Sequence, residues 1–239
     1  MMTRIFRDKI GHIVEVYIDD MVVKSKKEQG HIDDFKEVFE VLRRYKLCLN
    51  ADKCAFGVGA SNFLGYIITY QGIEVNPNQI KVVELLKLPN NPKKVQVLTS
   101  MLAALNWFIS KFADWCHPFY QLLKKWKGFQ WNEECEKVFQ DLQEYLVRAP
   151  ILSALEPDED LFMYFSMFEH ALSAMLLRVQ GVQQLVYYVS KTLVNVETRY
   201  LPLEKLVLAL MHATRKLPHY FQAHTIYVLT EYPLQSLLK

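Results

Sequence analysis

The first 75 residues alternate between patterns typical of short strands and the pattern of one helix. Residues 13–23 are rich in Val, Ile and Tyr and are interrupted by Asp19 and Asp20, which predicts two strands around a tight turn. Apolar residues then recur at helical spacing over residues 32–45, with acids in the first turn and bases in the last, so an amphipathic helix is expected. The β-rich run 63–69 predicts a second hairpin with residues 73–75.

Helical patterns dominate the middle of the chain. Asn76 can cap a helix, and the proline that follows it is favoured at the first helical position. The predicted helices are residues 77–88, 95–112 and 115–124, and a fourth that begins after the capping residue Asn132 and closes at Pro150.

Strand patterns return after residue 150, followed by one helix and a last strand. The predicted strands are residues 161–168, 171–179, 185–190 and 225–230, with a helix over 202–216. The order of elements predicts an α+β fold, in which two α+β modules are joined by helices. Little chain follows the last predicted strand, so the C-terminal module is expected to be truncated.

Composition places the chain among ordinary globular proteins. It has 239 residues, 51% hydrophobic and 23% charged, which is enough to bury a core without disulfides or metals. The four cysteines include no C-x-x-C pair, so reduced thiols in an intracellular protein are expected, in the cytoplasm or the nucleus. No apolar run approaches the length that spans a bilayer, and we expect no membrane contact.

Charge alone does not identify a nucleic-acid-binding protein, because the net charge is only +2. Basic residues do cluster near aromatic ones, as on a surface that tracks phosphates, although a solvated face explains the same pattern. The clusters are Lys24, Lys26 and Lys27; Arg43, Arg44 and Lys46; and Lys124, Lys125 and Lys127.

The paired acids at the first predicted turn are the strongest chemical signal. Asp19 and Asp20 follow Tyr17 and lie between two apolar runs, at the tip of the first hairpin. Enzymes that transfer nucleotides use two magnesium ions, and such ions take oxygen ligands from carboxylates. A rigid hairpin presents such ligands well. The alternative is that Asp is simply a favoured turn residue.

A resemblance to a known family supports the chemical interpretation. The segment VEVYIDDMVVKSKKEQGHIDDFKEVFEVLRRYKLCLNADKCAFGVGASNFLGYIIT closely resembles the Pol polyprotein of Ty3/gypsy-type retrotransposons, especially those of plants. Its Y-I-D-D and F-L-G-Y runs match the family's Y-x-D-D and F-L-G boxes. FQWNEECEKVFQDLQEYLVRAPIL is similar to the stretch that leads into the family's RNase H-like domain, and YVSKTLVNVETRYLPLEKLVLAL is similar to that domain itself. The resemblance covers essentially the whole chain.

The resemblance implies a fragment of an RNA-directed DNA polymerase followed by an RNase H-like domain. Residues 1–75 would be the C-terminal part of a reverse transcriptase palm with its primer grip. Residues 76–147 would be a helical thumb or connection, and residues 148–239 a C-terminally truncated RNase H-like α/β domain. The implied partners are a primer–template or RNA–DNA hybrid and the rest of the Pol polyprotein, and the implied cofactor is Mg²⁺.

The resemblance also implies roles for residues of the two hairpins. Asp19 and Asp20 match catalytic palm carboxylates, with Asp19 the more direct magnesium ligand, and Tyr17 would pack near the primer terminus and the incoming nucleotide. The primer grip would hold the primer end and comprises Phe63, Leu64, Gly65 and Tyr66. Core packing of a hairpin is the alternative for Leu64 and, with less support, for Tyr66.

The RNase H-like positions depart from the family pattern. Ser166 stands where the family has its first acidic ligand, with Glu169 nearby as a local substitute. Glu204 matches the family's glutamate, whereas Glu231 replaces an aspartate and reaches one methylene further. His219 and His224 have metal-like spacing, but structural roles are expected for them.

The polymerase pattern is incomplete as well, because the family's upstream metal-binding aspartate has no counterpart before Asp19. The magnesium site is therefore expected to be incomplete and the chain weak or inactive on its own. Two other hypotheses stay open: a noncatalytic nucleic-acid-binding remnant and the unstable product of a decayed retroelement.

Overall fold

The computed structural model describes residues 2–18, 20–25, 28–124 and 129–234. The chain forms two compact units, Met1–Thr69 and Tyr70–Lys239. The division into three domains proposed from the sequence stays a prediction. No helix in the described parts of the chain is long and apolar enough to cross a membrane.

The first unit is built on a hairpin that packs against one helix. Its elements are α1 (Met2–Ile5), β1 (Val14–Tyr17), β2 (Asp20–Val23), α2 (His31–Arg44), β3 (Ala60–Phe63) and β4 (Tyr66–Thr69). Strands β1 and β2 are antiparallel, with Tyr17 opposite Asp20. Val14 of β1 is buried with Val38 and Leu42 of α2, and this apolar contact joins the hairpin to the helix. The predicted hairpin and helix are both confirmed.

The second hairpin of this unit differs from the prediction. The run 63–69 was expected to be one strand, but Leu64 and Gly65 form a two-residue turn between β3 and β4. Both have positive φ, 54° at Leu64 and 83° at Gly65. Two successive positive φ angles are typical of the tight turn that matches strand twist. Leucine gives no local signal for this conformation, and the prediction of a continuous strand was therefore wrong.

In the described part of the chain, the second unit begins with a strand that is followed by five helices. These are β5 (Gly72–Val75), α3 (Pro77–Glu84), α4 (Pro92–Ala104), α5 (Phe112–Trp115), α6 (His117–Lys124) and α7 (Glu133–Val147). A two-residue strand, β6 (Leu152–Ser153), returns to pair antiparallel with β5. The strands approach so closely that a Cβ at Gly72 would lie 1.9 Å from the Leu152 carbonyl oxygen, so only glycine fits there.

The bounds of the first three predicted helices differ from the prediction. Helix α3 ends at Glu84, short of residue 88, and α4 begins earlier than expected because the Asn91 side chain accepts a hydrogen bond from the Lys94 amide at 3.0 Å. Helix α4 ends at Ala104, before the expected residue 112, although Phe108 beyond it is buried. The predicted helix 115–124 is interrupted at Cys116, between α5 and α6. The predicted cap at Asn132 is confirmed, since its Oδ1 accepts from the Cys135 amide at 2.9 Å.

The rest of the second unit is a four-stranded sheet with helices. The elements are β7 (Leu161–Met167), β8 (Ala171–Gln180), β9 (Val182–Thr192), α8 (Pro202–Lys216), α9 (Pro218–Ala223) and β10 (Ile226–Leu229). The strand order is β10-β7-β8-β9, with β10 parallel to β7 and the other pairs antiparallel. Leu161 and Met163 of β7 are buried with Ala213 of α8, which fixes α8 on the sheet. All four predicted strands and the predicted helix 202–216 are confirmed.

Candidate functional site

The tip of the β1–β2 hairpin lies at the protein surface. Tyr17 is 54% exposed, Ile18 is 72% exposed, and Asp20 is exposed as well. Asp19, the predicted magnesium ligand, lies outside the described residues. A tip buried among apolar side chains would have excluded a role in binding ions or substrate, and this tip is accessible to both.

The base of the same hairpin is fixed by packing. Val16, Met21 and Val23 are partly buried against the core formed by Phe6 and residues of α2. Four pairs of residues face each other across β1 and β2 without a register shift. A rigid base with an exposed tip holds side chains at the tip in a constant position.

Ile18 adopts an unusual backbone conformation at this tip. Its φ is 56°, in the left-handed region, where a β-branched side chain is a genuine outlier. Residues held in such conformations cluster at sites where function depends on a fixed geometry. Ile18, the second residue of the Y-x-D-D run, is therefore both strained and exposed.

The second hairpin places the four predicted primer-grip residues at one end of β3 and β4. Phe63 faces Tyr66 across the pair, and Leu64 and Gly65 connect them. Leu64 is 41% exposed, so the alternative that it packs in a core is wrong. Tyr66 is partly buried, and this burial raises the pKa of its phenol. Strands β2 and β3 lie against each other, which brings the two hairpins together within the first unit.

In the RNase H-like region the four candidate side chains have different surroundings. Ser166 is exposed on β7, and Glu169 is exposed in the turn before β8, where its Oε1 lies 3.6 Å from Nε2 of His170. Glu231 is exposed and follows β10. Glu204 turns back to the start of α8, where its Oε2 accepts the Leu201 amide proton at 2.8 Å. Glu204 therefore stabilises the helix N-terminus.

The described residues do not assemble a metal site. Among residues 2–18, 20–25, 28–124 and 129–234, no group of three or more His, Cys, Asp or Glu side chains is arranged to hold an ion. In the RNase H-like region the donors do not fit a pair of divalent ions, because Ser166 is uncharged and Glu204 is engaged in capping. At the first hairpin, Asp20 supplies the oxygen ligands that Mg²⁺ prefers, and the neighbouring acid lies outside the described residues.

The structure describes only part of the basic clusters. Lys26, Lys27, Lys125 and Lys127 lie outside the described residues. Lys24 donates a hydrogen bond to Glu15 Oε1 at 2.5 Å. Because this ion pair partly neutralises the ammonium charge, Lys24 would bind a phosphate less strongly. The histidine interpretation is confirmed for His224, whose Nδ1 lies 3.0 Å from the Glu159 carbonyl oxygen.

Sequence reasoning missed a contact between the helical region and the β7–β8 turn. The rings of His117 and His170 stack with centroids 4.4 Å apart and an interplanar angle of 8°. The Lys111 ammonium lies 5.0 Å from the centroid of the Phe168 ring. Burial, followed by the proximity of His170, lowers the pKa of His117. No local pattern reveals such pairs, because their members lie more than 50 residues apart.

Two family models match the chain. The family described as reverse transcriptase (RNA-dependent DNA polymerase) matches residues 1–68, and the RNase H-like domain found in reverse transcriptase matches residues 131–228. The two matches cover the hairpins of the first unit and the sheet of the second unit, respectively.

Two relatives of the chain are transposon polyproteins. The chain is 28% identical over 238 residues to the retrovirus-related Pol polyprotein from transposon 297 of Drosophila melanogaster, covering 99% of this chain and 22% of that protein. It is 26% identical over 217 residues to the transposon Tf2-3 polyprotein of Schizosaccharomyces pombe, covering 90% of this chain and 16% of that protein. The chain thus spans about a fifth of the length of these relatives.

Solved structures show the same fold. The foamy viral protease-reverse transcriptase in complex with dsDNA superposes with a TM-score of 0.82 at 20% identity, over 99% of this chain and 50% of that chain. The same protein in complex with RNA/DNA hybrid gives a TM-score of 0.82 at 20% identity, over 99% and 32%. The finer assignment to Ty3/gypsy-type elements of plants stays a prediction. The chain therefore contains a reverse transcriptase match and an RNase H-like match, and over most of its length it is similar to transposon Pol polyproteins.

Proposed function

We propose that this chain supplies the metal-binding hairpin and the primer-contacting hairpin of an RNA-directed DNA polymerase. One observation carries the proposal: Tyr17, Ile18 and Asp20 of the Y-x-D-D run are exposed at the end of a hairpin whose base is packed against α2. The segment lies within the residues that match the reverse transcriptase family. A primer–template or an RNA–DNA hybrid is the proposed substrate, and the remainder of a Pol polyprotein is the proposed partner.

In this proposal Asp19 and Asp20 hold Mg²⁺ through their carboxylate oxygens. When bound, magnesium ions activate the primer 3′-oxygen and neutralise charge on the phosphates of the incoming nucleotide. The chain's own residues then position the reactants. Tyr17, exposed beside the acids, offers its ring to the nucleotide at the primer end. Leu64 and Gly65 present a narrow turn to the primer backbone.

We propose a different role for the RNase H-like domain, which binds the hybrid without hydrolysing it. This is supported by the uncharged Ser166 at the first ligand position and by the use of Glu204 as a helix cap. Binding needs surface contacts and phosphate neutralisation, neither of which requires a metal. The foamy viral relative of this fold has been solved with both dsDNA and RNA/DNA hybrid, which supports duplex binding as the common property.

Primer extension tests the polymerase proposal. The chain would be assayed on an RNA template with Mg²⁺, both by itself and joined to the polypeptide encoded directly upstream. We expect extension in the longer protein and a loss of about 100-fold or more in Asp19→Asn and Asp20→Asn, because each removes a metal ligand. Asp33→Asn is the matched control, since Asp33 is an exposed acid on α2 that pairs with Lys36. Equal activity in all three variants would contradict the proposal.

Hybrid binding tests the role of the RNase H-like domain. We expect an affinity for RNA–DNA hybrid that falls with salt concentration and is unchanged by a chelator. Cleavage of the hybrid that depends on Mg²⁺ and is lost in Glu231→Gln would contradict a purely binding role.

A cooperative thermal transition of the purified chain would contradict the decayed-product hypothesis.

A further inference from the structure

A hydrogen-bonded cluster joins the end of the first hairpin to the start of α2. Ser25 follows β2 by two residues, and its Oγ donates to Asp34 Oδ2 at 2.5 Å. The same Oγ lies 2.7 Å from His31 Nδ1. All three side chains are partly buried, and His31 and Asp34 belong to the first turn and a half of α2. These residues were not singled out by any sequence motif.

Proton counting fixes the direction of each hydrogen bond. A serine hydroxyl has one proton, and an ionised carboxylate only accepts. The proton of Ser25 therefore goes to Asp34, and its oxygen must accept from His31. This requires a proton on His31 Nδ1. The tautomer of neutral imidazole with its proton on Nδ1 is the less usual one in water, and here the hydrogen bond to Ser25 selects it. The two contacts form one chain from imidazole to hydroxyl to carboxylate.

The surroundings hold the imidazole in this orientation. Its ring meets Phe35 edge-on, with centroids 4.5 Å apart and an interplanar angle of 73°. Phe35 in turn contacts Phe39 and Phe56, at 6.0 and 5.8 Å between centroids. This aromatic packing limits rotation of the ring, so the Nδ1 atom stays directed at Ser25.

The cluster acts on the hairpin at the end opposite its tip. The Lys24 amide donates to the Ile13 carbonyl at 2.9 Å, which closes the hairpin, and Ser25 comes next in the chain. Ser25 lies five residues beyond Asp20, about 16 Å along an extended strand. Since β2 is a paired strand, a change in the position of its base is carried to its tip.

We propose that Ser25, His31 and Asp34 form a positioning network that fixes the β1–β2 hairpin on α2 and thereby sets the place of the Y-x-D-D tip. The catalytic consequence rests on the proposed polymerase function, whereas the structural consequence does not. His31→Asn keeps an N–H donor close to the Nδ1 position, and Ser25→Thr keeps the hydroxyl. Ser25→Ala and His31→Gln each break the chain of hydrogen bonds.

Two measurements on the chain as it stands test the network itself. Nitrogen-15 NMR should find the proton on His31 Nδ1; a neutral ring protonated only at Nε2 would overturn the proposal. Amide hydrogen exchange in β1 and β2 should rise about tenfold in Ser25→Ala and His31→Gln, because a charge-assisted hydrogen bond of ordinary strength has that effect on local opening. Ser61→Ala, a serine on β3 of the same unit, is the control. Unchanged exchange in Ser25→Ala would overturn the proposal.

A third measurement tests the catalytic consequence in the protein that extends primers. Ser25→Ala and His31→Gln should lower kcat about tenfold with little change in KM for the nucleotide, because the tip moves while substrate contacts remain. Ser25→Thr and His31→Asn should restore kcat to within about threefold. Equal losses in the conservative and disruptive variants would overturn the positioning role. If no protein containing the chain extends primers, only the polymerase proposal fails, and exchange and NMR still decide the network.

Discussion

At the scale of single residues, each of the two described hairpin turns of the first unit contains a strained residue. Ile18 and Leu64 both have positive φ, which costs a residue with a Cβ about 1–2 kcal/mol. Both are exposed, so core packing does not select them. The exposure of the tip was expected from the pattern of apolar and acidic residues. The strain was not expected, because isoleucine and leucine rarely adopt a left-handed backbone conformation.

Replacement of Ile18 should therefore stabilise the first unit. Asparagine tolerates the left-handed region better, so Ile18→Asn is expected to raise the free energy of unfolding by about 1 kcal/mol in urea titrations. Ile32→Asn is the matched control, since Ile32 is 69% exposed but lies in α2 with a helical backbone. A control variant as stable as Ile18→Asn would contradict the strain argument.

At the scale of elements, the sequence predicted most strands and helices but not the contacts between residues distant in sequence that hold them together. Asn132 was identified as a cap because its signal is local. Helix α4 was predicted to continue to residue 112 because apolar residues keep their spacing beyond Ala104, where the chain turns instead. Contacts across the sequence, such as the ion pair of Arg178 with Glu159, leave no local trace. The same limit applies to the Ser25 network.

The Arg178 side chain should be a main support of the sheet in the second unit. It is 10% exposed, lies 2.9 Å from Glu159 through Nη2, and also donates to the Ala154 carbonyl. Removing one partner of a buried ion pair leaves an uncompensated charge, so Arg178→Gln should lower the free energy of unfolding by about 3 kcal/mol. Urea unfolding measures this change.

Two further variants decide whether the effect comes from the buried pair. Glu169→Gln alters a contact with His170 in the same unit whose acid is 84% exposed, and it should change stability by less than about 1 kcal/mol. The double variant Arg178→Gln/Glu159→Gln should be less destabilised than the sum of the single changes. Strict additivity would show that the pair contributes no coupling.

At the scale of the whole molecule, two compact units separate the two candidate chemistries. The first unit contains both hairpins proposed to act in polymerisation, and the second contains the RNase H-like sheet and its helices. Each unit has its own buried cluster, centred on Val14 and Val38 in the first and on Leu161 and Met163 in the second.

The second unit should lose stability in acid. Burial lowers the pKa of His117 and of His212 below the usual 6.5, with His170 adding to the effect at His117 and Lys216 at His212. Below pH 6.5 the unfolded chain binds these protons first, so stability rises with pH across that window and is lost as pH falls. We expect Tm to fall between pH 7 and pH 5. The fall should be smaller in His117→Asn/His212→Asn, and an unchanged fall would contradict this assignment.

The pairing of β5 with β6 joins residue 72 to residue 153 across five helices. During synthesis the described strands β1 to β4 of the first unit are available once residue 69 has left the ribosome. Strand β6 emerges only some eighty residues after the start of β5, and closing so long a loop is slow. After β1 to β4 have emerged, a nascent chain would thus still expose the edge of β5 that later pairs with β6, and this is the interval in which chaperones would be needed most.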